Sequence, residues 1–255
     1  MALDVIQIPC LSDNYGYLIR DRDTGETATI DTPDAEAINN TLAAKSWRLD
    51  YILNTHHHWD HTGGNLSLKE HWGCTIIGPR AEAARIPGID RAVGEGDTVS
   101  IGESQASVFD TPGHTAGHII YFFAEDVLAF VGDTIFALGC GRLFEGKPAE
   151  MLASLNKIAA LPPETKLFCA HEYTEANAAF AITVDPENAT LKQRHAEIEA
   201  KRANGMPTVP STLAEELATN PFLRSDAESL RRTLDMQSAT AVEVFTETRQ
   251  RKDSF

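Results

Sequence analysis

Residues 5–8 and 15–19 alternate apolar with other side chains and are separated by Ser12-Asp13-Asn14, a cluster of turn formers, so the chain opens on a predicted β-hairpin. A third strand is predicted over 27–31. Between Ala35 and Lys45 the apolar residues Ala35, Ile38 and Leu42 fall at helical spacing, and 49–54 then has the β-branched and aromatic character of a short buried strand. A short helix over 65–72 and strands at 75–77, 107–109, 119–123 and 127–131 follow, interrupted by loops containing Gly and Pro. Many strands with few intervening helices predict sheets covered by helices, a layered α/β body.

After Ala170-His171-Glu172-Tyr173 the pattern changes to charged, amphipathic helix. Pro186 suits the first turn of a helix over 186–203 that Gly205 would end, and Thr212 with Glu215 has capping-box spacing at the start of another. Two more helices are predicted over 226–236 and 239–249. Two domains are therefore expected, 1–173 and a small helical one over 174–255. No internal repeat or low-complexity segment is present.

At 255 residues and 42% hydrophobic content the chain can bury a full core. Its net charge of -15 argues against a general affinity for nucleic acid, which needs clustered Lys and Arg. The amino terminus lacks a basic region followed by an apolar run, and no stretch is long and apolar enough to span a bilayer, so no membrane partner is expected. Cys10, Cys74, Cys140 and Cys169 are scattered, without a CxxC pair, and read as free buried thiols. A cytoplasmic protein, and a monomer, is expected.

The chemistry concentrates in Thr55-His56-His57-His58-Trp59-Asp60-His61-Thr62-Gly63-Gly64. If the segment is extended, alternation puts His56 and His58 on one side, while Asp60 and His61 lie past a bend. Three further residues stand where a predicted strand runs into a loop: His114, Asp133 and His171. Five imidazoles and two carboxylates suffice for two metal ions, and zinc, iron and manganese all suit such donors. His57 would point away and take a packing or supporting role. Asp31, at a strand end, is either a support for a ligand or merely solvated. His71, His118 and His195 read as plain polar residues.

At these positions the chain resembles the metallo-β-lactamase superfamily, whose HxHxDH signature stands here as His56 to His61. That resemblance implies an αββα sandwich, with His56, His58 and His114 on one metal, Asp60, His61 and His171 on the other, and Asp133 bridging. A narrower resemblance, to the glyoxalase II (hydroxyacylglutathione hydrolase) family, runs nearly end to end. It rests on Leu11-Ser12-Asp13-Asn14-Tyr15, the stretch from Gly139 to Gly146, His171-Glu172-Tyr173-Thr174, Asn220-Pro221-Phe222-Leu223-Arg224 and the terminal Arg249 to Phe255. It implies glutathione-binding roles for Arg142, Phe144, Tyr173, Arg249 and Lys252. Arg142 stands where Lys is often found in the family, and Phe144 where Tyr can occur, so one donor geometry changes and one hydroxyl contact is missing.

The implied activity is hydrolysis of S-(2-hydroxyacyl)glutathione, foremost S-D-lactoylglutathione, in methylglyoxal detoxification, with two divalent ions, zinc expected, and Asp60 and Asp133 catalytic. The leaving thiolate needs no strong general acid, because a thiol pKa is about 8.5. Rival readings on the same scaffold are a mononuclear iron dioxygenase acting on glutathione persulfide, a nuclease and a non-enzymatic glutathione-conjugate binder.

Overall fold

The opening hairpin is longer than its apolar alternation suggests: β1 (Leu3–Cys10) and β2 (Asn14–Asp21) pair antiparallel from Leu3 opposite Asp21 to Cys10 opposite Asn14. The computed structural model describes residues 2–255. They form two compact units, one running to Asp110 and resuming over Ala116–Gly132, the other made of Thr111–Thr115 and Asp133–Phe255.

In the first unit β3 (Thr27–Ile30) pairs antiparallel with β2, and the sheet then continues in parallel. Parallel neighbours need a crossover. α1 (Ala35–Lys45) leads to β4 (Tyr51–Leu53), α2 (Trp59–Thr62) and α3 (Asn65–Trp72) lead to β5 (Thr75–Pro79), and a 3-10 turn over Arg80–Arg85 leads to β6 (Arg91–Val93). α1 has its predicted bounds because both ends are capped. Asp34 accepts from the N–H groups of Glu36 and Ala37, and Ser46 closes the helix in the left-handed conformation. Ile38 and Leu42 of α1 and Leu68 of α3 cover Leu18, Ile52 and Ile76 on one face of the sheet.

A second set of strands, β7 (Thr98–Ile101), β8 (Ser104–Asp110), β9 (Ile119–Phe123) and β10 (Leu128–Gly132), forms an antiparallel meander. It packs on the other face of the first sheet. The rings of Tyr17 and Phe130 lie 5.5 Å apart, and the Tyr121 hydroxyl donates to the Asn54 carbonyl at 2.9 Å. The layers of this unit therefore run helix, sheet, sheet. β9 and β10 are buried at every position, which is why they read as apolar runs rather than alternation.

The second unit begins with a tight hairpin, β11 (Ile135–Phe136) and β12 (Gly139–Cys140), then α4 (Pro148–Ala159) and β13 (Lys166–Cys169). α5 (Thr174–Val184) and α6 (Ala189–Ala203) follow, then β14 (Ser211–Thr212), which pairs with β13, and α7 (Leu213–Thr219), α8 (Glu228–Thr233) and α9 (Ala241–Ser254). α4 was not among the predicted elements, although Pro148 starts it and Met151, Leu152, Leu155 and Ile158 are buried. α6 starts three residues later than predicted, because the Asn188 side chain accepts from Leu191 N–H and caps it there. The Thr212–Glu215 capping box forms as expected. α9 starts later and runs further than predicted, set by an unforeseen Thr240–Glu243 box, so that it carries both Arg249 and Lys252. Leu138, Ala178, Ala181, Leu191 and Ile198 form the core under α5 and α6.

Asp21, buried at the end of β2, ties the two sheets of the first unit. Its carboxylate accepts from the N–H and hydroxyl of Ser104, at 3.1 and 2.7 Å, and from the N–H and hydroxyl of Thr24, both at 2.9 Å. Burial pushes its pKa up, but these hydrogen bonds together outweigh burial and hold it down at about 2. A depressed carboxylate stabilises the fold above its unfolded pKa and loses that contribution as pH falls through the folded one. Asp21→Asn is expected to cost about 1–3 kcal/mol at neutral pH, because donors are left unsatisfied. Urea unfolding of both proteins should show the difference holding above about pH 4 and shrinking towards pH 2.

Candidate metal centre

The histidine segment is not a simple extended run. It leaves β4 through Asn54, bends at Thr55 and His56, and turns into α2, whose first residue is Trp59. Asp60 and His61 thus sit on one helical turn rather than in an open bend. Asp31, just past β3, organises these residues. Its backbone adopts φ 55°, and its carboxylate accepts from Thr55 N–H at 2.8 Å, from the Thr55 hydroxyl at 2.8 Å and from His61 Nδ1 at 2.8 Å. Because the Thr55 hydroxyl donates to Asp31, it accepts from His56 Nδ1, 3.1 Å away. One carboxylate therefore sets the tautomer of two imidazoles and places both lone pairs on Nε2. Of the two readings open for Asp31, the structure shows a buried support for the candidate ligands His56 and His61 rather than a solvated strand end.

In the same unit Asn14 donates to Asp60 Oδ2 at 3.0 Å, and His61 Nε2 stands 3.5 Å from that oxygen. His56 Nε2 and His58 Nδ1 face each other at 3.0 Å. In the second unit His114 Nδ1 donates to the Arg142 carbonyl at 2.9 Å, which again directs Nε2 as the donor atom. The two oxygens of Asp133 are shared out: Oδ2 lies 3.4 Å from His114 Nε2 and Oδ1 lies 3.5 Å from His171 Nε2. Two ligand atoms each about 2.1 Å from a metal lie about 3.0 Å apart at a right angle and about 3.4 Å apart at a tetrahedral one. The donor spacings in each unit match the edges of such polyhedra. The groups of His and Asp donors able to hold a metal ion, among the described residues, draw on His56, His58, Asp60, His61, His114, Asp133 and His171 and on no others. These are the seven predicted positions, and their donor set fits divalent metal.

His57 turns away, as expected, to Glu82. His118, which reads in the sequence as a plain polar residue, is placed differently. It is fully buried, with its ring stacked on His56 at 4.8 Å and 26°. The signal for it was its spacing from His114, four residues on; for Asn14 and Glu82 no signal short of the fold was available.

The residues expected to grip the substrate all belong to the second unit. Tyr173 stacks on the His171 ring at 4.7 Å and 4°, and Phe144 meets the His114 ring edge-on at 5.2 Å. Both keep large exposed surfaces, 39% and 63%. Arg142 is exposed, and its Nε lies 4.0 Å from Asp253. Arg249 is placed differently. It is 4% exposed, donates to the Cys140 carbonyl at 2.9 Å and to Asp253, and covers the Phe222 ring. Burial first, then the charges of Arg249 and Arg142, bring the Lys252 pKa down to about 8. The four cysteines are buried and none is in a disulfide. Burial holds Cys10, Cys74 and Cys140 up at about 11 and Cys169 at about 12, so none is a thiolate nucleophile at neutral pH.

The layered sheets and this donor set define a metallo-β-lactamase-type metalloprotein, and the metallo-beta-lactamase superfamily model matches residues 14–171. The crystal structure of ETHE1 from Myxococcus xanthus shares the fold, with a TM-score of 0.67 and 23% identity over 99% of this chain and 100% of that one. The model of the hydroxyacylglutathione hydrolase C-terminus matches residues 172–255. "Hydroxyacylglutathione hydrolase" of Maricaulis maris (strain MCS10) is 56% identical over 98% of this chain and 97% of its own length, and that of Chelativorans sp. (strain BNC1) 55% identical over 100% of both. The chain belongs to the hydroxyacylglutathione hydrolase family, in the αββα fold of its superfamily with a helical C-terminal region.

Removing the Asp31 carboxylate frees both imidazoles to rotate and change tautomer. Asp31→Ala is expected to weaken metal binding by about 10–100-fold, measured by competition with a chromophoric chelator.

Proposed function

We propose that the chain hydrolyses S-(2-hydroxyacyl)glutathione, foremost S-D-lactoylglutathione, to glutathione and a 2-hydroxy carboxylate, in methylglyoxal detoxification. The observation that carries this reading lies within the second unit. There the imidazoles beside Asp133 carry exposed aromatic rings, Phe144 and Tyr173, on their flanks, and a cationic group of Arg142, Arg249 and Lys252 belongs to the same unit. An apolar rim beside metal-ligand residues, with positive charge in the same unit, suits an acyl thioester whose thiol part bears carboxylates. The full-length relatives bearing the name hydroxyacylglutathione hydrolase support the same substrate.

His56, His58 and His114 would hold one divalent ion, Asp60, His61 and His171 a second, with Asp133 between them. Zinc is proposed, and iron or manganese suits the same donors. When bound, such ions acidify a water towards pKa about 7 and polarise the thioester carbonyl. Asp60, steadied by Asn14, orients the attacking water, and Asp133 offers one oxygen beside His114 and the other beside His171. Arg142 and Lys252 bind the glutathione carboxylates, while the buried Arg249 supplies charge and fixes the turn that bears Arg142. Phe144 and Tyr173 flank the acyl-sulfur group. The sulfur departs as thiolate, so no proton donor is required of the protein. We assign catalysis to residues 1–173 and the glutathione grip largely to 174–255, in a cytoplasmic monomer acting on a small soluble substrate. No helix among the described residues is long and apolar enough to cross a membrane.

The purified protein is expected to turn over S-D-lactoylglutathione with two metal equivalents per chain. A rate no better than free metal in buffer would reject the reading, as would one metal equivalent accompanied by oxygen uptake. Asp133→Ala is expected to abolish turnover and to lower metal content. Lys252 gives the pH dependence a sign: it is charged below its pKa of about 8 and neutral above it. KM should therefore rise as pH passes about 8. Lys252→Arg should flatten that rise, with kcat little changed, in steady-state assays run over roughly two pH units either side of the Lys252 midpoint.

A further inference from the structure

We propose that Glu82 is a positioning residue for the metal centre: its carboxylate clamps His57, the residue between His56 and His58, to the backbone of Gly117. The inference rests on the reading that His56 and His58 ligate metal. Glu82 stands in the 3-10 turn over Arg80–Arg85 and is 2% exposed. Its Oε2 accepts from His57 N–H at 2.8 Å and from His57 Nδ1 at 2.7 Å, and its Oε1 accepts from Gly117 N–H at 2.8 Å. Arg85 donates to His57 Nε2. A guanidinium cannot accept, so Nε2 carries the lone pair and the ring proton is on Nδ1, pointing at Glu82.

His57 is thus held at three points, its backbone N–H and both ring nitrogens. It is the hinge of the ligand pair. Rotation about its backbone would swing the rings of His56 and His58, whose nitrogens now face each other at 3.0 Å. Gly117 completes the clamp because only glycine fits there: a Cβ would lie 2.6 Å from Glu82 Cγ and 2.7 Å from Ala81 Cβ. Glu82 belongs to none of the candidate ligand groups, so its action on metal passes through His57. For stability alone a buried carboxylate is a poor choice, since desolvation opposes it and an apolar side chain of similar size would serve. What three converging N–H donors provide is a fixed orientation.

Glu82→Gln keeps the shape but presents an NH2 group to donors at one end. Gly117→Ala keeps the charge and displaces the carboxylate, and Arg85→Met removes only the outer contact, at the surface. The test is titration of cobalt(II) into each metal-free protein, following the visible d–d bands, with the Tm of the metal-free form and kcat and KM at saturating metal. Glu82→Gln and Gly117→Ala are expected to bind cobalt about 10–100-fold more weakly, with shifted bands, and Arg85→Met to shift affinity less in the same direction. At saturating metal kcat should fall while KM for the thioester stays near wild type, because substrate contacts are untouched. Wild-type cobalt affinity and bands in both Glu82→Gln and Gly117→Ala would overturn the inference, even if Tm drops, since that is the pattern of a purely structural residue. Failure of the wild-type protein itself to bind cobalt would instead remove the metal assignment beneath it.

Discussion

The metal-binding half of the first unit depends on the carboxylate of Asp31. It sits at the end of β3 with a left-handed backbone, which aspartate tolerates better than most residues. From there it gathers the Thr55 backbone, the Thr55 hydroxyl and His61, and through the hydroxyl it reaches His56. A neutral imidazole has one lone pair and two places to put it. Asp31 decides that place for two of them, and without such a decision the motif's spacing would not make a site.

Buried hydrogen bonds also brace the second unit. In the second unit Glu216 is fully buried, paired with Arg194 at 2.5 Å, and its other oxygen accepts from Leu138 N–H at 2.8 Å and from the Asn220 amide at 3.0 Å. Asn177 and Asn220 take up the carbonyls of Phe136, Ala137 and Gly139. The hairpin β11–β12 stands between Asp133 and Arg142 in the chain, so the helical region does more than carry cations. It holds rigid the turn that separates Asp133, a proposed metal ligand, from Arg142, a proposed substrate-binding residue. Breaking such a network by removing one partner leaves a buried group unsatisfied, which costs far more than the hydrogen bond contributes.

How far the chain was legible depended on whether a local signal existed. α1 and α3 were readable to the residue because each is amphipathic and bounded by residues that end helices. α4 carries the same kind of apolar spacing behind Pro148, yet it follows directly on the glycine-containing stretch from Gly139 to Gly146, which masks its start. α6 was misplaced by three residues because Pro186 and Asn188 are both plausible starts, and only the side-chain bond to Leu191 N–H chooses between them. β6 has too few residues to show a period, whereas β7 alternates exposed and buried side chains over its whole short length.

The amino-acid sequence alone determined the identity of the seven candidate ligands, the layered α/β body and the helical tail, because each is encoded in residue type at short spacing. Tertiary structure decided what those residues are held by. Asn14 and Glu82 are separated in the chain from the groups they act on, and no local pattern marks them; Asp31 is marked only by its place at a strand end and His118 only by its spacing from His114. The same holds for Arg249, legible as a cation near the chain's end but buried against Cys140 and Phe222 once folded. Orientation and burial arise from contacts between distant segments, and only the folded chain brings those segments within hydrogen-bonding reach.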